Sequence, residues 1–211
     1  MSFKTPTFIG SVIMALALAV PLSGCQSTQT SLPPTAAPGF WQNMQGRVQA
    51  IKDITLTGRV LINHQRERFA SNFYYQGYDA EHYELRLASS LGKEIARIKV
   101  APGKATLFSS GHLYEATSAS ELAAKHLGMP LPLDDFHKLI LGIAPNDKSL
   151  FNDFGILLQS QVDNLVINYN DYTSVQNVAL PSEIQVLGPD LELKITTRDI
   201  RDIEFNYPKK D

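Results

Sequence analysis

The stretch "TLTGRVLINHQRERFASNFYYQG", residues 55–77, switches the chain to a period of two. "TLTGRVLINH" and "ERFASNFYYQG" face each other across "QR", and two runs of strand character separated by two residues read as a β-hairpin. In the second run Phe69, Ser71, Phe73 and Tyr75 fall on one side, with Ala70, Asn72 and Tyr74 on the other. That alternation is the mark of a strand with one face buried.

Downstream the pattern continues. "HYELRLAS" sets Tyr83, Leu85 and Leu87 against Glu84 and Arg86, and "EIARIKVAP", "KATLFSSG" and "HLYEAT" follow. The connections are short, so neighbours should pair antiparallel as a meander. Two helical segments interrupt. "SASELAAKHLG" has Leu122 and His126 or Leu127 at helical spacing and Gly128 as a stop. "PLDDFHKLILG" is predicted to start at Pro132, with Asp134 and Asp135 in its first turn. It places Phe136, Leu139 and Ile140 on one face and ends at Gly142. Strands then resume in "GILLQSQ", "NLVINYNDYT", "LPSEIQVLG" and "LELKITTRD", with a possible last strand at "IEFNY". About ten strands predict one strongly curved antiparallel sheet, closed or nearly so, with helices across its mouth.

Upstream, "FWQNMQGRVQAIKD" spaces Phe40, Met44, Val48 and Ile51 as one face of a helix. Before it, Lys4 precedes the apolar run "FIGSVIMALALAV", too short for a good membrane span and suited to a secretory signal. Leu22-Ser23-Gly24-Cys25 follows directly and resembles the bacterial lipobox. The expected organisation is a signal peptide over residues 1–24, a lipidated Cys25 with a tether over residues 25–39, and one domain over residues 40–211. Residues 26–39, "QSTQTSLPPTAAPG", are rich in Ser, Thr, Pro and Ala and cannot build a core. Fully extended they reach roughly 40 Å. Two or more acyl chains on Cys25 give stable anchoring. Gln26 stands where lipoproteins held at the inner membrane tend to carry Asp, which points to the outer membrane, periplasmic face.

Composition narrows the function classes. The 211 residues carry a formal charge of −2, with no like-charge run longer than Lys209-Lys210. Nucleic acid is therefore not an expected partner, because phosphate binding needs a clustered basic face. A single cysteine precludes an intramolecular disulfide. Nucleophile-elbow, dinucleotide and P-loop motifs are absent, and the five histidines lack metal-site spacing. Asp134 with His137 is the sharpest metal pair. The simpler reading is that Asp134 or Asp135 caps a helix while His137 faces solvent. Asp199 and Asp202 among Arg198 and Arg201 read as a solvated charged turn. Phe69, Phe73, Tyr75, Tyr83 and Phe108 are candidates for one concave face, either as filled core or as a cavity lining. A sheet of ten strands favours the cavity, since it encloses more space than its own side chains fill.

The segment "HLGMPLPLDDFHKLILGIAP", residues 126–145, resembles the helical segment of the outer-membrane lipoprotein receptor LolB family. The lipobox, Phe40-Trp41, "TGR" at residues 57–59, "YELRL" at residues 83–87 and Leu91-Gly92 match in the same order. The resemblance implies an unclosed barrel of about eleven strands, capped by helices around a hydrophobic cavity. It also implies a monomeric receptor, needing no cofactor and not an enzyme. Such a receptor takes lipoproteins from the periplasmic carrier LolA by their acyl chains and passes them to outer-membrane phospholipid. Phe69, Phe73, Tyr75, Tyr83, Leu85, Leu87, Phe136, Leu139 and Ile140 are the expected acyl-cavity residues. In "SSLGK" a leucine stands at a turn tip, and the resemblance makes Leu91 the residue that inserts into the membrane, with Gly92 supplying the tight turn. Two competing readings remain: a lipid-binding lipoprotein of similar fold, and a structural envelope lipoprotein with a filled domain.

Overall fold

The computed structural model describes residues 40–79, 81–145, 148–153 and 155–206. The signal, the lipobox and the tether, Cys25 included, lie outside the described residues. Among those described, one antiparallel sheet of eleven strands carries three helices. Helix α1 (Phe40–Gln49) leads into β1 (Ile51–His64) and β2 (Glu67–Gly77). Strands β3 (Tyr83–Ala88), β4 (Glu94–Ala101), β5 (Lys104–Ser109) and β6 (His112–Ala116) follow. Helices α2 (Ala119–Leu127) and α3 (Phe136–Leu141) come next. Then come β7 (Leu150–Phe151), β8 (Leu157–Val162), β9 (Leu165–Val175), β10 (Val178–Gly188) and β11 (Leu191–Phe205).

The sheet order is β6-β5-β4-β3-β2-β1-β11-β10-β9-β8-β7, a meander from each side joined where β1 pairs with β11. The edges β6 and β7 are short and do not meet, so the barrel is unclosed. Its hairpins follow local chemistry. His64 pairs with Glu67 across Gln65 and Arg66, both at positive φ, as a two-residue type I′ turn requires. Bulges bend the long central strands: β1 and β11 slip register at Thr57/Gly58 and twice near Asp53, and β10 slips beside Pro181. Extra residues in one strand increase bend and twist, which curls a flat sheet into a trough.

Alternation decides what fills that trough. Ser71, Phe73 and Tyr75 of β2 point inward with Tyr83, Leu85 and Leu87 of β3 and Ala96 and Ile98 of β4. Leu193 and Ile195 of β11 and Ile184 and Val186 of β10 continue the layer. Each fully buried aliphatic side chain contributes roughly 1.5–3 kcal/mol. On the outer face, Glu84 lies beneath Arg86 and Lys99, the latter at 3.1 Å, and Arg86 also covers the Tyr74 ring at 5.2 Å.

Several expectations need correction. Ile51 opens β1 rather than closing α1, because α1 ends at Gln49. α3 begins at Phe136, not at Pro132. The Leu133 and Asp134 N–H groups instead donate to Ser120 Oγ, at 2.9 and 3.1 Å, which ties this segment to α2 and keeps it out of the helix. Residues 198–202 form no turn: they run within β11, which continues unbroken to Phe205, and the positive φ of Asp202 marks a bulge. Phe108 sits on the outer face of β5, 41% exposed, opposite Leu113. The two-residue β7 brings the strand count to eleven.

Candidate functional site

The helices lie over the concave face and are fastened to it by buried polar contacts. The Tyr83 hydroxyl donates to the Leu133 carbonyl ahead of α3. The Tyr75 hydroxyl donates to His137 Nδ1 at 2.6 Å. From α1, Gln45 Nε2 donates to the Gly142 carbonyl at 2.9 Å while its Oε1 accepts from the Ala144 N–H at 3.1 Å. The loop between α2 and α3 is fixed by Asp134, which accepts from the Ala119 N–H and the Ser118 hydroxyl, each at 2.7 Å. Asp134 thus serves the start of α2, while Asp135 precedes α3 without a side-chain capping bond. These contacts hold Asp134 below the usual carboxylate range, although burial opposes them.

His137 does not face solvent: it is 4% exposed. Burial lowers its pKa to about 4, with Asp79 opposing and Lys138 adding to the shift. Burial also pushes the Tyr75 phenol well above its ordinary range, so the tyrosine is the donor and the neutral imidazole accepts at Nδ1. Among the described residues, no group of three or more His, Cys, Asp or Glu is placed to hold a metal. No helix among them is long and apolar enough to cross a membrane.

Tyr75 and Tyr83 have ring centroids 5.5 Å apart, and Phe136 of α3 sits 5.7 Å from the first and 6.1 Å from the second. Phe73, Leu85, Leu87 and Ile140 are buried in the same core, with Phe69 partly buried against it. Seven of the nine expected cavity residues are thus buried in this packing, Phe69 is partly buried at its edge, and Leu139 lines the open space beside it. That space is a partly open cavity of about 480 Å³, within the roughly 300–1,000 Å³ range of ligand sites. It lies between the α2–α3 segment and the β8–β9 hairpin. Leu131, Leu139, Ile143, Leu165, Ile167 and Tyr169 give it apolar walls. Sequence reasoning missed five of these. The period-two run Leu165, Ile167, Tyr169 marked an inward face, but nothing local says that α3 stops short of covering it.

The topology also sets where the cavity points. All neighbouring strands are antiparallel, so connections alternate between two ends of the sheet. The turns at residues 65–66, 89–93, 110–111, 163–164 and 189–190 gather at one end, and those at 78–82, 102–103 and 176–177 at the other. The cavity reaches Val162 and Asp163, at the end that carries Leu91. Leu91 is 94% exposed on a closed turn, in which the Gly92 N–H donates to the Ser89 carbonyl and the Ser89 N–H to the Lys93 carbonyl, both at 2.9 Å. Gly92 has φ +81°, which a side chain would strain.

Fold and site together define a class: single-sheet β half-barrels whose helices bound an apolar cavity on the concave face. Two solved structures share this fold at a TM-score of 0.50. One is a DUF1329 family protein from Desulfovibrio piger, 10% identical, with 77% of this chain and 90% of that chain covered. The other is a putative outer membrane lipoprotein-sorting protein domain from Vibrio parahaemolyticus, 8% identical, with coverage of 81% and 93%. The family model of the outer membrane lipoprotein LolB matches residues 52–199. The outer-membrane lipoprotein LolB of Nitrosococcus oceani is 30% identical over 189 residues, 87% of this chain and 92% of its own. That of Klebsiella pneumoniae strain 342 is 26% identical over 188 residues, 83% and 93%. The chain belongs to the outer membrane lipoprotein LolB family. Membership carries a role in lipoprotein localisation at the outer membrane, and not an enzymatic one.

Proposed function

We propose that the chain is an outer-membrane-anchored receptor, held by acylated Cys25, that takes lipoproteins from a LolA carrier and inserts them into the inner leaflet. Shielding is the physical need. A free acyl chain in water forfeits on the order of 10 kcal/mol, at about 0.8 kcal/mol per methylene. No nucleotide motif supplies energy, so transfer runs downhill in acyl affinity from carrier to receptor to bilayer. Chains enter the cavity beside Leu139 and press against the wall formed by Tyr75, Tyr83, Phe136 and Ile140. Phe69, Phe73, Leu85 and Leu87 back that wall, and helix displacement enlarges the space on loading. Leu91 inserts into the bilayer and brings the cavity to it.

The observation that carries this reading is the apolar cavity reaching the same end of the sheet as a fully exposed leucine. The test is a transfer assay. The chain with Cys25→Ala is mixed with carrier loaded with labelled lipoprotein, and then with liposomes. Label should pass to the chain and on to the liposomes. Leu91→Glu should fold and capture cargo normally but slow delivery to liposomes at least several-fold. Unchanged delivery by a folded Leu91→Glu protein sinks the insertion role. Label that never leaves the carrier sinks the receptor reading.

A further inference from the structure

The cavity walls are apolar, but the rim is not. Glu121 of α2, Asp134 of the α2–α3 loop, Asp135 before α3 and Asp163 of the β8–β9 turn all border it and are all exposed. The one cation on the lining, Lys138, is engaged by Asp135 at 2.8 Å. Among the described residues, Glu121, Asp134 and Asp163 have no lysine or arginine within ion-pair distance. Asp134 is already satisfied by the Ser118 hydroxyl and the Ala119 N–H at the start of α2, so Glu121 and Asp163 are the two unpaired negative charges on the rim of an opening whose interior would accept any acyl chain. An apolar wall cannot distinguish acyl chains by what they are attached to. Charge at the rim can, because whatever joins the chains must sit there when the chains are inside.

Resting on the acyl-binding reading above, we infer that this rim is a charge filter. It admits acyl chains carried on a neutral or cationic peptide and rejects chains carried on an anionic headgroup. The excluded class is phospholipid with a net negative headgroup, which carries the same chains on a phosphate with no neighbouring cation. A phosphate at the rim would meet Glu121 and Asp163 across opposite sides of the opening. A cysteinyl peptide brings its chains through a glyceryl thioether and no phosphate. Rejection of the wrong ligand by like charge is a specificity device distinct from attraction of the right one. The position of Asp163, at the Leu91 end, places the filter where the cavity meets lipid. It lets cargo leave and keeps anionic lipid from back-filling the emptied site.

The test uses the full mature chain with Cys25→Ala and three probes of equal acyl content. These are a diacylglyceryl-cysteinyl peptide with a tetralysine tail, the same peptide with a tetraglutamate tail, and phosphatidylglycerol. Affinities are read by displacement of a fluorescent fatty acid at low and high salt. The unmodified rim should prefer the lysine peptide to either anionic probe by roughly tenfold or more, and high salt should compress the ratio. Glu121→Gln with Asp163→Asn, two exposed changes, should bring the ratio to within about threefold at low salt. Equal affinity for all three probes by the unmodified chain overturns the filter while leaving acyl binding intact. So does a ratio that the double variant does not move. Failure to bind any probe removes acyl binding, and the filter with it.

Discussion

His137 occupies a place where an imidazolium would be unsatisfied: Tyr75 approaches its Nδ1, and burial holds its pKa at about 4 against an ordinary 6.5. Between those values the unfolded chain binds a proton that the folded chain does not. Stability contributed by this site is complete above about pH 6.5 and is lost as pH falls toward about 4. At pH 5 the loss should be about 2 kcal/mol relative to pH 7. Urea unfolding at the two pH values checks this, and His137→Gln should flatten the dependence over that window. Nothing in "LDDFHKL" announces the burial of His137. Its acidic and basic neighbours suggest a solvated face, and its partner Tyr75 lies on β2, far away in the chain. Leu91 is the opposite case. Two recognisable strands flanked a short polar turn, so its exposure was legible from local pattern, whereas its role rests on resemblance and awaits the delivery assay.

Elements built from local pairing were legible, and those that depend on distant partners were not. The β1–β2 hairpin follows from period and turn chemistry alone. The pairing of β1 with β11 joins residues such as Val60 and Ile195, and no local pattern specifies it. The late start of α3 depends on Ser120 of α2, whose hydroxyl takes the Leu133 and Asp134 N–H groups. Asp134 still looked like a cap for the helix it precedes, and it caps α2 instead. Gly58 shows what the β1–β11 pairing demands. A Cβ there would meet the Thr196 carbonyl and, at 2.7 Å, the Phe73 ring. Gly58→Ala should therefore destabilise by about 1–3 kcal/mol, as overpacking does. Gly46 in α1 has nothing within 4 Å of that position. Gly46→Ala should stabilise by roughly 0.5–1 kcal/mol through helix propensity. Urea midpoints of the two variants should move in opposite directions, and a Gly58→Ala midpoint at or above the parent's would refute the crowding argument.

At the scale of the whole molecule, periodicity reached a strongly curved sheet, closed or nearly so, under a helical cover, and the family resemblance supplied its being unclosed. Neither reached the site of the empty space. Aromatic residues on strands were natural candidates for a cavity lining, yet Tyr75, Tyr83 and Phe136 fill the middle of the trough with one another. The cavity instead opens to one side, where the helical cover gives way to the β8–β9 hairpin. Packing between segments distant in the chain decides which half of a trough is filled, and periodicity carries no such information.

The chain enters β1 at the end of the sheet opposite Leu91, and α1 sits beside that far end, with Arg47 donating to the Gln176 carbonyl. β1 has 14 residues and at about 3.3 Å each spans about 45 Å. α1, at ~1.5 Å per residue, can return ~15 Å of that distance. If one bilayer holds both Cys25 and Leu91, residues 26–39 must cover at least ~30 Å, and fully extended they reach roughly 40 Å. On the proposed anchoring, the tether would be a leash with modest slack. Removing seven of its residues leaves it too short for both ends to touch one membrane. Such a variant should fold and capture cargo as before, lose delivery into the vesicle that holds its own anchor, and keep delivery into separate vesicles. Equal delivery to both vesicle populations would show that the leash is never drawn tight.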